Sequence, residues 1–359
     1  MKILHVITSL RTGGAEKLMT QLLPRLRDAG IDAEIAVFDG IATKFLGALR
    51  RAGITVYRLG EPNSFVYNPM LISKLSQLMS RYDIVHTHNT SPQFFAAVAA
   101  KFMRRKPILV TTEHNTDNRR RNNRLGRAAD RWMYSRYDLV IAITKEVESC
   151  LLDHLNGSSI NTTVICNGID TKQFMSPIKQ LTPDGPRTIV MVGAFREQKD
   201  QDTLIRAMCH LPERFRLRLV GGDARLGNCI ELAANLGLAD RVTFDGLRTD
   251  IPAVLEQADY VCMSTHYEGL SLAVVEGMCS GRPLIASDVR GVKDLVSGAG
   301  ILFPEGNDHA LAEAIMRLDS DPELYHTTAL AGRERGLQYD ISNMVDGYIN
   351  AYNSLMSKG

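Results

Sequence analysis

Tyr267-Glu268-Gly269-Leu270-Ser271-Leu272-Ala273-Val274-Val275-Glu276-Gly277-Met278 is the stretch on which the reading of this chain turns. It follows the apolar run Tyr260–Met263, which has the length of a buried strand. A strand, a glycine-containing turn and an apolar helix in succession form the repeating unit of a parallel α/β sheet. The expected helix start covers Gly269 to Leu272, and two carboxylates, Glu268 and Glu276, flank it.

Those residue types suggest a chemistry. A helix start offers backbone N–H groups without intrahelical partners and the positive end of the dipole, so it suits a phosphate. Carboxylates only accept hydrogen bonds, so they suit hydroxyl donors. Gly269 would let a ligand approach the backbone closely. The amides of Gly269, Leu270, Ser271 and Leu272 are therefore read as a cradle for a diphosphate. Glu276 is read as the acceptor of ribose hydroxyls, and Glu268 as the acceptor of hydroxyls on a transferred sugar. Two glutamates at this spacing also arise by chance as solvated side chains; the preceding strand and Gly269 favour a site. Phosphates and sugar hydroxyls in one place describe a nucleotide-sugar.

Working outward, the same alternation fills the chain. Strand-like runs at Ile3–Ile7, Ala33–Phe38, Ile84–His86, Ile108–Thr112, Leu139–Ile143 and Thr163–Ile165 are separated by helical stretches. The first such stretch carries Ala15, Leu18, Met19, Leu22, Leu23, Leu26 and Ala29 on one face. At Ser176–Arg187 three prolines and a glycine interrupt the pattern, and the domain linker is expected there. The alternation resumes with Ile189–Val192, Leu217–Val220, Val242–Phe244, Tyr260–Met263, Leu284–Ala286 and Ile301–Phe303. The expectation is two doubly wound α/β domains, over residues 1–178 and 187–341, with the ligand in a cleft between them. Met344, Val345, Tyr348, Ile349, Tyr352 and Leu355 mark a final packing helix.

Bulk properties agree. A chain of 359 residues is long for one core. Its 45% hydrophobic and 23% charged residues are ordinary for a globular enzyme. A net charge of +2 gives no case for nucleic acid as a partner. The six cysteines form no Cys-x-x-Cys, so neither a zinc site nor a disulfide framework is expected. The N-terminal apolar run is short and broken by His5, which reads as a first strand rather than a signal peptide. With no run of about 18 apolar residues, a cytoplasmic protein is expected, with a peripheral place on the inner face of the cell membrane left open.

Further motifs supply candidates. In Val192-Gly193-Ala194-Phe195-Arg196-Glu197-Gln198-Lys199, the two cations follow a strand and a glycine, so Arg196 and Lys199 are read as a clamp on departing phosphates. Alone they would pass for solvated loop residues. Gly221-Gly222-Asp223 is a second strand-to-helix turn, for which ligand contact and a purely conformational role both stay open. Gly13 and Gly14 open the first helix and are read as admitting the donor's phosphates or the acceptor, with a turn-only role as the alternative. No Gly-x-Gly-x-x-Gly follows the first strand, which argues against a dehydrogenase. His86, His88 and His114 follow strand ends; His114 is the candidate for the floor of the site, and a metal reading lacks a third ligand and a convergent geometry. Asn167-Gly168-Ile169-Asp170 reads as a turn.

Between Lys101 and Arg136 lie eleven basic residues against three acidic ones, with Phe102, Met103, Trp132, Met133 and Tyr134 interleaved. That composition suits an anionic membrane surface or a polyprenyl-diphosphate head group, and Arg119, Arg120, Arg121 and Arg124 are assigned to that side. A solvated helix face is the plain alternative.

Taken in order, Gly13-Gly14, His114, Asn167-Gly168-x-Asp170, the Gly193 to Lys199 loop, Gly222-Asp223, the Glu268 to Glu276 segment, Pro283–Asp288 and Gly300–Phe303 resemble family four of the retaining glycosyltransferases. The resemblance spans nearly the whole chain. It implies the GT-B architecture, two Rossmann-like domains facing a central cleft, with the final helix 342–359 packing back on the first domain. It implies a nucleotide-sugar donor held mainly by the second domain and an acceptor held by the first. It also implies retention of configuration with neither metal nor cofactor. By position, Lys199 matches the phosphate-binding lysine, Glu268 the carboxylate near the donor sugar, Glu276 the ribose carboxylate and His114 the histidine near the sugar's hydroxymethyl group. One departure is Ala194, where the family often has arginine; Arg196 lies two residues on.

The expected activity is transfer from a UDP-linked sugar to a lipid-linked or oligosaccharide acceptor in capsule, O-antigen or exopolysaccharide synthesis. The rivals are a UDP-sugar epimerase of the same fold and a non-catalytic nucleotide-sugar or polysaccharide-binding protein. The basic acceptor-side stretch argues against the first. The joint presence of Lys199 and both glutamates argues against the second.

Overall fold

The structure is a computed structural model that describes residues 1–11, 14–114, 124–156 and 159–357, apart from the side chains of residues 124 and 125. The chain forms two compact units, Met1–Asn167 with Met344–Gly359, and Gly168–Asn343.

In the first unit β1 (Lys2–Ile7), β2 (Asp32–Val37), β3 (Val56–Arg58), β4 (Ile84–His88), β5 (Ile108–Glu113), β6 (Leu139–Ala142) and β7 (Thr162–Val164) build one sheet in the order β3-β2-β1-β4-β5-β6-β7. All its pairs are parallel. The second unit holds β8 (Arg187–Val192), β9 (Phe215–Val220), β10 (Val242–Gly246), β11 (Tyr260–Met263), β12 (Leu284–Ser287) and β13 (Ile301–Phe303), in the order β10-β9-β8-β11-β12-β13. These pairs are parallel too. In each sheet the strand order reverses beside the first strand, between β1 and β4 and between β8 and β11. At such a point neighbouring crossovers leave in opposite directions and open a crevice beyond the strand ends.

Parallel strands covered on both faces are largely apolar, and β1, β4, β6, β11 and β12 are buried over most or all of their length, β4 with His86, Thr87 and His88 among its buried residues. The helix Gly14–Asp28 buries Leu18, Met19, Leu22, Leu23 and Leu26, the stripe legible in its spacing. The helix Leu272–Cys279 buries every residue from Val274 to Cys279, including Glu276. The short strand β3 was not evident in the sequence. It has three residues, none of them fully buried, and pairs only with β2 at the sheet edge.

The crossing between units differs from the expected linker. It falls at Asn167/Gly168, and the proline-rich segment Ser176–Arg187 belongs to the second unit. The prolines mark a packed surface strap: Ser176 Oγ donates to Ser280 O at 2.7 Å, and Arg282 Nη1 donates to Pro177 O at 2.7 Å. The chain returns at Asn343/Met344, within the helix Ile341–Met356, so the residues of that helix from Met344 onward cluster with the first unit. Asn167–Asp170 is not an isolated turn, because Ile169 forms a parallel bridge to Asp340.

Beneath the second sheet, Asp319 accepts from Arg187, Arg214 and Tyr260, with Arg187 and Asp319 almost fully buried. Removing one partner of a buried pair strands the other charge. Asp319→Ala is expected to destabilise this unit by about 3–5 kcal/mol in urea unfolding. A loss under about 1 kcal/mol would show that the pair is solvated after all.

Candidate functional site

In the second unit the candidates gather beyond the carboxyl ends of β9, β8 and β11. After β8 the chain makes a loop ending in a single 3₁₀ turn, Glu197–Lys199, closed by Asp200 at φ +44. Lys199 Nζ donates to Glu268 Oε1 at 2.5 Å, joining the loop after β8 to the loop after β11 across the reversal of strand order. Thr265 Oγ1 lies 3.2 Å from the same oxygen and 2.8 Å from Gln198 O. Two further bonds tie the loops: His266 N donates to Gln198 O at 2.8 Å, and Gln198 Nε2 donates to Tyr267 O at 2.7 Å. Both members of the ion pair are largely shielded from solvent, with side-chain exposures of 18% and 8%. Lys199 is therefore held by a carboxylate, and among the described residues two of its three N–H donors have no partner.

Ser271 is the residue at the helix start, and its side chain makes no capping bond. Its hydroxyl is buried and has no partner among the described residues. Gly269, Leu270, Ser271 and Leu272 lead into this helix start, which the Ser271 side chain does not cap. Glu276 sits one turn further on and is buried.

Arg196 takes a different direction from Lys199. Its Nε donates to Asp223 Oδ2 at 2.6 Å, and its side chain is 66% exposed. Asp223 has φ +136, a backbone normally left to glycine. Its other oxygen accepts from Ala224 N at 2.8 Å, and the Arg196 guanidinium lowers its pKa. The loop therefore directs its two cations to two different carboxylates. Gly193 packs on the Lys199 stem, and Gly222 faces Leu247.

Two glycines are required by close approach. A Cβ on Gly221, at φ +153, would lie 2.0 Å from Gly193 O, so only glycine lets the loops after β8 and β9 meet. A Cβ on Gly291, at φ +79, would lie 2.0 Å from Glu268 O, and Glu268 N donates to Arg290 O at 3.1 Å. Gly291, Thr265 and Gln198 shape the site and were not singled out in the sequence. Their role depends on which loops meet, which spacing along the chain does not reveal.

In the first unit, strand alternation places His86 and His88 on one face of β4. The register sets His5 of β1 beside His86, and Thr112 of β5 beside His88. His114 lies just past β5. The imidazoles form a chain: His5 Nδ1 is 3.1 Å from His88 Nε2, and His88 Nδ1 is 3.3 Å from His114 Nε2. His86 bonds to Tyr352 OH at 2.6 Å and to Thr112 Oγ1 at 2.8 Å. Tyr348 OH lies 3.2 Å from that same Thr112 hydroxyl, so the helix Ile341–Met356 caps the cluster. Burial holds His5 down at about 3 and His114 at about 4. Burial, and then the neighbouring imidazoles, put His86 and His88 well below the ordinary 6.5.

His5, His86 and His88 have ligand-capable nitrogens within 4.8 Å of one another. His5 is the third histidine that the sequence did not reveal. His86 and His88 stack at 4.4 Å and 23°, and every nitrogen of the three rings except His5 Nε2 already has a hydrogen-bond partner. The arrangement is that of a hydrogen-bonded stack. His210, Asp308 and His309 form a second, surface grouping in the other unit.

Gly14 opens its helix at the surface. Gly13, Arg119, Arg120, Arg121 and the side chain of Arg124 lie outside the described residues. Among the described residues of the basic segment, Lys101, Phe102, Arg104, Arg105 and Lys106 are exposed, and the Arg136 guanidinium lies 5.5 Å from the Trp132 ring centre. Among the described residues no helix is long and apolar enough to cross a membrane.

The parallel sheets, each with polar groups at its switch point, define an α/β protein that binds ligands beyond its strand ends. Residues 12–173 match the model of Glycosyltransferase Family 4, and residues 174–335 that of Glycosyl transferases group 1. The chain belongs to the family-4 glycosyltransferases and has their GT-B fold. A putative glycosyltransferase, EpsD of Bacillus subtilis, is 29% identical over 77% of each chain. The GDP-mannose:cellobiosyl-diphosphopolyprenol alpha-mannosyltransferase of Xanthomonas oryzae is 26% identical over 99% of this chain and 97% of its own. Among solved structures, HepE of Anabaena in complex with UDP superimposes with a TM-score of 0.84 at 22% identity, covering 99% of this chain and 100% of that one.

Gly291→Ala is expected to displace the Glu268 loop. Transfer activity should fall at least about 10-fold with a loss of about 1–3 kcal/mol in stability; wild-type kinetics from the variant would show that the close approach is dispensable. The histidine cluster gives a pH prediction. Its folded pKa values lie below the unfolded 6.5, so the unfolded chain binds more protons as pH drops below 6.5. Its contribution is complete above pH 6.5 and is lost as pH falls toward about 4. Chemical denaturation at pH 7, 6 and 5 should show the first unit losing at least about 1 kcal/mol per pH unit below 6.5. A flat profile would mean that the rings protonate while folded.

Proposed function

We propose that this glycosyltransferase is a retaining enzyme that takes a sugar from a UDP-linked donor. It passes the sugar to a lipid-linked saccharide on the cytosolic face of a bacterial membrane, in the assembly of a surface polysaccharide. The observation that carries the reading is the Lys199–Glu268 pair, set beside an uncapped helix start at the β8/β11 switch point. A nucleotide-sugar donor accords with membership of the family. UDP is favoured because HepE was solved with it, and a lipid-linked acceptor because the Xanthomonas relative acts on a diphosphopolyprenol saccharide. The exposed basic and aromatic residues near Lys101 fit an anionic lipid surface.

In this reading the helix-start amides and the two available N–H groups of Lys199 receive the diphosphate. As the bond from the anomeric carbon to the phosphate oxygen breaks, negative charge grows on that oxygen, and Lys199 stabilises it without a metal. The acceptor oxygen bonds to the anomeric carbon on the same face, and its proton passes to the departing phosphate. Glu268 is engaged by Lys199 and serves to position it. Glu276 takes the ribose hydroxyls.

The test is a thermal-shift and hydrolysis screen against a panel of nucleotide-sugars with EDTA present, followed by NMR of the product's anomeric configuration. Stabilisation by a UDP-sugar, transfer with retention and a loss of about 100-fold or more in kcat for Lys199→Ala are expected. Glu276→Ala should raise the donor KM about 10-fold. Interconversion of the UDP-sugar without acceptor would point to an epimerase, and binding without turnover to a carrier. Unchanged transfer by Lys199→Ala would overturn the proposed clamp.

A further inference from the structure

The imidazole chain in the first unit has a direction. A neutral imidazole carries one proton on two nitrogens, so a ring bonded to an imidazole on each side must donate to one and accept from the other. His88 is such a ring, with Nε2 facing His5 and Nδ1 facing His114. Burial keeps the chain neutral near pH 7. Only two proton orders remain. In one, His114 donates inward and the chain ends with an N–H on His5 Nε2. In the other, His5 donates to His88, His88 donates to His114, and His5 Nε2 is a bare lone pair.

The inner end decides between them. His5 is fully buried, and its Nε2 has no partner among the described residues. Buried N–H groups without an acceptor are rarer than under-used acceptors. The favoured order is therefore His5 Nδ1–H to His88 Nε2, then His88 Nδ1–H to His114 Nε2. That leaves the proton of His114 on Nδ1, at the half-buried end of the chain beyond β5.

We propose that His5 and His88 are positioning residues that lock His114 in the Nδ1–H tautomer, so that it presents a fixed hydrogen-bond donor to a saccharide oxygen. The inference rests on the reading of His114 as a substrate-facing residue of a glycosyltransferase. The chain gives His114 a defined polarity that a solvent-exposed imidazole lacks, since water accommodates either tautomer. His86 braces the stack from the side: its ring centre lies 4.4 Å from that of His88 and 5.0 Å from that of His5, and Tyr352 and Thr112 hold both its nitrogens. A donor pre-oriented in this way needs no reorganisation when substrate arrives.

Long-range nitrogen–proton NMR on histidine-labelled full-length protein at pH 7.5 reads the tautomer directly, with His114→Gln supplying the assignment. The expected result is a protonated Nδ1 and a bare Nε2 on His114. His88→Phe keeps a ring in the stack but breaks the chain. It should give His114 mixed tautomers and lower kcat roughly 10-fold, with the donor KM changed less than about 2-fold. His88→Gln retains one acceptor and one donor and should recover part of that loss. A wild-type His114 protonated on Nε2 would overturn the proposal without need of any variant. So would a His88→Phe protein whose His114 tautomer and kcat match wild type. Because the tautomer is read on the free protein, failure of the glycosyltransferase reading would appear separately, as absence of sugar transfer by an otherwise correct chain.

Discussion

Parallel strand pairing is the constraint from which the rest follows. A parallel sheet cannot be closed by hairpins, so every strand is followed by a crossover, and all strands end on the same side. Where strand order reverses, two crossovers diverge and leave the strand ends uncovered. Both sheets here contain that reversal, and both candidate clusters lie at it. Lys199 arrives from β8 and Glu268 from β11, while His5 is on β1 and His86 and His88 are on β4. His5 and His86 are polar groups within central strands, tolerated there because the buried rings and hydroxyls meet one another.

The two clusters solve different electrostatic problems. Lys199 and Glu268 are a charged pair in partial shelter, and pairing keeps the ammonium in place without using all its donors. His5, His86 and His88 are fully buried and His114 is half-buried, and the rings persist in neutral form with protons shared along a line. The first arrangement suits an incoming anion. The second suits a neutral hydroxyl, for which the direction of a single N–H matters more than charge.

Much of this was legible in the sequence where the signal is local. Tyr260–Met263 and Ile301–Phe303 appear as strands with the bounds read from their composition, and Lys199 and Glu268 could be named from their own loops. What escaped was whatever depends on elements distant in sequence. His5 looked like an interruption in an apolar strand because its partner, His88, is 83 residues away. Gly291 had no visible reason to be glycine until Glu268 O was found against it. The prolines of Ser176–Arg187 read as a linker, because proline reports only that helix and central strand are excluded. It cannot distinguish a free segment from a strap bonded to Ser280 and Arg282.

The position of Arg196 follows from the same distinction. Ala194 stands where the family often has arginine, and a sequence argument can move the lost charge two residues along to Arg196. In the structure Arg196 pairs with Asp223, while Lys199 pairs with Glu268. Arg196 is mostly exposed, and its ion pair is of the solvated kind that is worth little. A dianionic ligand near the loop after β8 would compete for that guanidinium at small cost, whereas Lys199 is held closely and is already aimed. On the proposed donor reading, the burden of stabilising a departing diphosphate would rest first on Lys199 and on the helix start, with Arg196 as a second cation that the ligand's own charge could draw from Asp223.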